Sequence, residues 1–431
     1  MAGMEQGMAN EALGRRVSVE EAQAIVLGAV GLLDVETVGL VDSVGRVAAT
    51  DLRSDIDIAP FANAAMDGFA VRAQQIANAS EQSPVPLEVV AEVPAGTVYD
   101  GPIGPGQCVR IMTGAPLPAA ADAVVQYEVV ENGGARVGER AVFVQPTTER
   151  KNVREAGEDI SAGAVAIAAG QEIRAGGVGF LASCGITQVP VFRRPRVAVV
   201  PLGSELVGPQ ALPGPGQIRD GNSFTLAACA LQAGAVPVTL PIVSDDEEAV
   251  VEALRSAVAQ ADFVLTSGGA SNGDYDFIKQ AIEREGRLLM DEVDMKPGKA
   301  QAFGIVDGTP VLGLPGNPAA AFCGFEVLVR PALRKMQGYA QLFRPVVRAT
   351  LDSSRKKKDT RRMFLRARVE RDCDGVLHAL PAKNQSSGLF GAMQEGSCLA
   401  VIPEGKFAGG RTPEGLEVEC ILLDAKEGLV F

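Results

Sequence analysis

A chain of 431 residues, 47% hydrophobic and 22% charged, is too long for one small module and too apolar for a disordered one; at roughly 150 residues per domain it holds two to four compact units. A net charge of −13 disfavours nonspecific adhesion to nucleic acid or anionic lipid, so any anionic ligand needs a local basic site. One histidine, His378, leaves no His-based zinc site, Ser-His-Asp triad or Cys-His dyad, and the seven cysteines, none in a CxxC pair, read as thiols of a reducing, cytoplasmic protein.

Residues 1–17 read as a loose tail without a signal peptide's basic and apolar regions, and no stretch reaches the 18 or so apolar residues of a membrane helix. Ser18, three residues before Glu21, has capping-box spacing and opens a helix in SVEEAQAIVLGAV. From Val47 to Val144 short β-prone pieces (LEVVAEV, CVRIM, AVVQYEVV, AVFV) alternate with Gly/Pro turns, an all-β insertion. A Gly-rich stretch and a short helix near Ala175–Ala182 follow. After FRRPR, the continuous apolar run RVAVVPLG predicts a strand buried on both faces. Helix SFTLAACALQAG, strand VPVTLPIV, helix DDEEAVVEALRSAVAQ, strand DFVLTSGG, helix DYDFIKQAIEREG, strand VLGLPG and helix NPAAAFCGFEVLVRPAL then alternate, which calls for a parallel, doubly wound sheet. From Phe343 β-prone segments return, a small barrel or sandwich. The fold class is multidomain α/β plus all-β.

In open α/β sheets ligands bind beyond the carboxyl ends of the strands, where helix N-termini offer free N–H groups. Three loops fit: Arg219–Ser223, Thr266–Asp274 and Leu314–Pro318. In the second, Gly268 and Gly269 let a phosphate approach the backbone, Ser267 and Ser271 donate hydrogen bonds, and Asp274 serves equally as a helix cap. In the third, Pro318 takes a first-turn position, so Gly316 and Asn317 start a helix, as a site or as a cap. Glu205, Asp245 and Asp276 beside these loops offer the oxygen ligands Mg2+ takes next to phosphate, with N-capping the alternative, favoured for Asp245. Two basic elements stand out: Lys296-Pro-Gly-Lys299, and Arg355–Arg371 with nine Lys/Arg against two Asp/Glu, suited to an oxyanion. Within it Lys356, Lys357 and Lys358 read as solvated surface, whereas Arg366 sits in the β-prone MFLRARVE.

NAAMDGFAVR (63–72), RIMTGAPLP (110–118), NVREAGEDI (152–160), LGSEL (202–206), TSGGASNGDYDF (266–277), KPGK (296–299), GLPGNPAA (313–320) and QSSGLFGA (385–392) occur in one order. Together they resemble the molybdopterin molybdenumtransferase family (MoeA, also the E domain of gephyrin-like proteins), from about Ser18 to the C-terminus. The resemblance implies a linking domain of residues 18–46 and 150–190, an inserted β domain of 47–149, a molybdopterin adenylyltransferase-like α/β domain of 191–342 and a C-terminal β domain of 343–431. It also implies a homodimer, adenylylated molybdopterin and molybdate as substrates, AMP release, Mg2+, a molybdopterin adenylyltransferase as partner, and no nucleic-acid or membrane partner. Carried over residue by residue, Asp67 and Thr113 (from the inserted domain), Asp159, Glu205 and Asp276 take catalytic roles; Glu205, Asp245 and Asp276 take Mg2+. Ser267, Gly268, Gly269, Ser271, Asp274, Gly316 and Asn317 bind the pterin nucleotide, while Lys296, Lys299, Arg366 and Ser387 suit molybdate. The sequence departs from the family's pattern at Ala62, Ala64 and Phe69, which replace hydrogen-bonding groups, at Glu292 and Asp294 ahead of KPGK, and at Ala300 after it. Two carboxylates beside an anion site weaken it unless they pair with Lys296 or Lys299. The competing readings are an adenylyltransferase, which needs only the α/β domain, and a gephyrin-like scaffold.

Overall fold

A computed structural model describes residues 16–269 and 277–424. The chain forms two compact units, Thr37–Val191 and the remainder, Met1–Glu36 with Phe192–Phe431.

In the larger unit the helix Val19–Gly28 begins as its capping box requires: Glu21 N donates to Ser18 Oγ at 3.1 Å, and Ser18 N to the Glu21 carboxylate at 2.9 Å. A cap of this kind contributes about 1 kcal/mol, and the helix then buries Val19, Ala22 and Val26 with Val197, Phe263 and Leu312. The seven-stranded sheet runs Arg16–Val17, Gly286–Val293, Ala300–Val306, Thr309–Leu314, Phe263–Ser267, Arg196–Pro201, Val236–Thr239. The last four are mutually parallel, and Val197 and Val199 face one core while Ala198 and Val200 face the other, so the continuous apolar run is covered on both faces.

The sheet is mixed rather than purely parallel, because Ala300–Val306 pairs antiparallel with both neighbours. The cause is local: Asp307 and Gly308 take φ of 47° and 77° between the paired Val306 and Thr309. That is the two-residue Asp-Gly hairpin whose twist matches flanking strands. The helix predicted after LPGNP is interrupted, as Pro318–Gly324 passes through a π turn, Phe325–Val329, into Arg330–Met336; Pro331, lacking an N–H, sits where the α register resumes.

The C-terminal part is a closed barrel, the narrower of the two predicted forms. Arg362–Arg371, Leu377–Pro381, Val346–Leu351, Glu417–Leu422 and Cys398–Ile402 pair in turn, and the last closes on the first. Met363, Leu365, Ala367 and Val369 fill the barrel while Phe364 packs into the α/β core. The strand Met295–Lys296 pairs with Arg362–Met363, tying KPGK to the barrel.

The smaller unit carries a five-stranded sheet, Ala123–Gln126, Gly68–Val71, Gln107–Ile111, Val85–Val93, Arg140–Phe143. Its helix Ala175–Ser183 buries Leu181 against Ile167, Ile173 and Val189. Among the described residues no helix is long and apolar enough to cross a membrane.

Candidate active site

At the carboxyl end of the sheet, Phe263–Ser267 and Thr309–Leu314 deliver two of the predicted loops side by side. Gly268 has φ 97°, and a Cβ on it would lie 2.1 Å from Leu202 O, so glycine is required for conformation and for space. Its N–H donates to Leu314 O at 3.0 Å. Asn222 joins the loops: Nδ2 donates to Ser267 Oγ and to Gly316 O, both at 2.8 Å. The sequence placed Asn222 on a candidate loop but assigned it no role, since its partners lie 45 and 94 residues away. The Ala319 amide at the start of the Pro318 helix donates to Ser387 O at 2.9 Å, so a barrel loop covers that first turn. Ser271, Asp274 and Asp276 lie outside the described residues.

Glu205 and Asp245 stand on neighbouring loops, with Leu202 bridged to Val243. Asp245 Oδ2 accepts from Ser204 N at 2.9 Å and Ser204 Oγ from Asp245 N at 3.0 Å, so Asp245 braces the loop that carries Glu205. Among the described residues no three His, Cys, Asp or Glu side chains gather as metal ligands.

Beyond Asn317 opens a cavity of about 720 Å³ between the α/β domain and the barrel. Its lining includes Lys296, Lys299, Arg355, Lys356, Lys358, Arg361, Arg366 and Lys383, with Ser386 and Ser387, and among the described residues no Asp or Glu. All four residues carried over for molybdate therefore meet in one place. Gln301, fully buried, donates Nε2 to Gly298 O at 2.6 Å and pins the turn between the two lysines. Arg366 is 2% exposed; its Nη2 donates to Ser386 O at 3.2 Å, and its backbone N–H to Gln385 Oε1 at 3.0 Å. Burial lowers its pKa from the ordinary arginine value, and among the described residues no carboxylate pairs with it.

Two carboxylates stand just outside the lining. Asp359 Oδ2 is 3.2 Å from Lys296 Nζ and 2.7 Å from Arg361 Nη2. Its hydrogen bonds from Arg361, then Lys296, outweigh burial and hold its carboxyl well below the usual range. Glu292 Oε1 is 2.6 Å from Lys299 Nζ, whereas Asp294 pairs away with Arg16. The basic run is not the uniform solvated surface predicted: Lys357 is 1% exposed with Nζ donating to Pro403 O, while Lys356 and Lys358 line the cavity. Burial lowers the Lys357 pKa. One residue in three turned inward because Lys357 N–H also bonds Gly410 O, a contact no local pattern announces.

In the smaller unit Asp67 and Thr113 come together. Thr113 Oγ1 and N both donate to Asp67 Oδ1 at 2.7 Å, which lowers the Asp67 pKa. The strand register sets this up, Gly68 standing opposite Ile111. Phe69 is fully buried, edge-on to Tyr127 at 5.2 Å, an apolar position where a hydroxyl would need a partner. Asp159 lines a separate small cavity with Asn63, Arg154, Glu155 and Glu158.

Three family descriptions match in order: MoeA N-terminal region (domain I and II) over residues 17–185, probable molybdopterin binding domain over 198–335, and MoeA C-terminal region (domain IV) over 348–423. Molybdopterin molybdenumtransferase 2 of Mycobacterium tuberculosis is 38% identical over 358 residues, 81% of this chain and 87% of that one. The molybdopterin molybdenumtransferase of a Nostoc species is 36% identical over 400 residues, 90% of each chain. A solved molybdopterin biosynthesis MoeA protein of Pyrococcus horikoshii covers 95% of this chain and all of its own, with TM-score 0.79 at 29% identity.

Proposed function

Because the chain belongs to the molybdopterin molybdenumtransferase (MoeA) family, we propose that it inserts molybdenum from molybdate into adenylylated molybdopterin, releasing AMP and forming molybdenum cofactor. The observation that carries this reading is a cationic cavity with no lining carboxylate among the described residues, beside the loop of Gly316, in an acidic protein. A tetrahedral dianion needs positive charge and hydroxyl donors, which Lys296, Lys299, Arg366 and Ser387 supply together. Ser267, Gly268, Gly316 and Asn317, joined through Asn222, form the wall for the pterin nucleotide.

Cleaving the phosphoanhydride is mainly positioning plus charge neutralisation, so the missing His or Cys nucleophile is no obstacle. More than half of the cavity lining comes from the barrel domain, which adenylylation alone would not need; this favours insertion over the adenylyltransferase reading. Glu205 and Asp245, with Asp276, would hold Mg2+, which neutralises phosphate charge when bound; loss of AMP release on chelation, restored by Mg2+, tests this. Asp67, Thr113 and Asp159 complete the site in our reading, from the inserted domain and the linking domain of a homodimer. The deciding experiment is purified protein with adenylylated molybdopterin, comparing molybdate with no oxyanion: AMP release that ignores molybdate refutes the reading.

A further inference from the structure

Glu292 lies opposite Ala300 in the antiparallel pairing of Gly286–Val293 with Ala300–Val306. Val293 N donates to Lys299 O at 2.8 Å. The backbone thus fixes Glu292 beside Lys299, and the 2.6 Å ion pair follows from that register rather than from a chance meeting of long side chains. Both side chains are partly buried, 21% and 35% exposed, so solvent screens the pair less than a surface pair. Glu292 stands outside the cavity lining, while Lys299 lines it.

We infer that Glu292 sets the affinity of the oxyanion seat: it competes with a bound tetrahedral dianion for the Lys299 ammonium and holds that affinity down. The inference rests on the transferase reading, since it concerns the same oxyanion. An arriving dianion must either take Lys299 from Glu292 or bind with a like charge one side chain away; both oppose binding, so pairing with Lys299 does not spare the seat as the sequence reading expects. Seven other cations surround Lys299 in the lining; two of them, Lys296 and Arg361, are paired with Asp359, and without Glu292 the remaining charge would hold a dianion more tightly. An oxyanion bound too well in the ground state raises the barrier to its transfer. A carboxylate behind one lysine lowers ground-state affinity without removing a donor from the cavity.

The test is equilibrium dialysis of the full chain against tungstate, a tetrahedral dianion used as the probe, with bound metal measured by mass spectrometry. Glu292→Gln keeps the volume and an oxygen acceptor but removes the charge, and binds tungstate about tenfold more tightly at low salt, the gain shrinking as salt rises. Glu292→Asp, which keeps the charge, retains wild-type affinity, and in a Lys299→Met background the Glu292→Gln effect disappears. In the AMP assay Glu292→Gln lowers KM for molybdate. Unchanged or weaker tungstate binding by Glu292→Gln overturns this inference alone, whereas no tungstate binding by the wild type overturns the seat and the inference together.

Discussion

Replacing Arg366 with Met separates what the fold needs from what the chemistry needs. Arg366 is 2% exposed, and among the described residues its one side-chain hydrogen bond runs to Ser386 O at 3.2 Å and its Nε has no hydrogen-bond partner. Losing that long charged bond costs about 1.5 kcal/mol, the low end for its class. Removing a buried guanidinium that no described carboxylate pairs with returns a desolvation penalty of similar or larger size. Methionine keeps most of the apolar packing, so the net change in stability is within about 1 kcal/mol and Tm moves by no more than about 4 °C. The oxyanion, by contrast, loses a desolvated charge-assisted contact worth about 2–3 kcal/mol, a 30- to 150-fold loss in AMP release at limiting molybdate. Melting followed by circular dichroism and AMP release against molybdate concentration measure both quantities. A Tm drop beyond about 10 °C, or wild-type molybdate dependence, would show that Arg366 is structural and refute the reasoning.

Asn222→Ala leaves Ser267 Oγ and Gly316 O without their donor, at about 1 kcal/mol each, so Tm falls a few degrees and KM for adenylylated molybdopterin rises about tenfold; an unchanged KM would take Asn222 out of the site. Gly268→Ala meets Leu202 O at 2.1 Å in a left-handed conformation and costs about 2–4 kcal/mol, seen as lower Tm and lost AMP release, and a native melting curve refutes this. Asp359 has a carboxyl depressed chiefly by Arg361, so its stabilisation is present above the ordinary carboxylate pKa of about 4 and is lost as pH falls through the lower folded value. Asp359→Asn therefore destabilises the protein from pH 5 to 8, and its gap to wild type narrows as pH falls below about 4; a gap that stays constant in chemical denaturation between pH 5 and pH 2 contradicts the assignment.

The parts of the fold legible in the sequence were those set by neighbours in the chain. Ser18 and Glu21 gave the helix start and Val197 to Val200 a doubly covered strand, whereas the close neighbour of Gly268 is Leu202 O, where the sequence reading has the glycines admit a phosphate. The Asp307-Gly308 hairpin is equally local, but the helix–strand alternation around it calls for a parallel sheet and so hides the antiparallel strands that seat Glu292 beside Lys299. What the sequence hides is set by distant pairings: Lys357 turns inward to Pro403, Lys296 meets Asp359, and Asn222 reaches Gly316. A lysine in a basic run has the same neighbours whether it points out or in, so composition alone reads Lys356, Lys357 and Lys358 alike as surface.

An acidic chain keeps a positive cavity by the way it anchors its cations. Arg355, Arg366 and the buried Lys357 donate to the backbone carbonyls of Pro381, Ser386 and Pro403, which hold the side chains in place without cancelling their charge. Carboxylate anchors would be stronger individually, but would neutralise the seat, and among the described residues they are Asp359 and Glu292, outside the lining. The pairing of Lys296 with Met363 brings KPGK onto the barrel strand bearing Arg366, so cations from segments about 60 residues apart share one space. Their mutual repulsion is a standing cost that a dianion relieves on binding, which makes ligand binding stabilise the junction of barrel and α/β domain: added tungstate should raise Tm in wild type and much less in Arg366→Met.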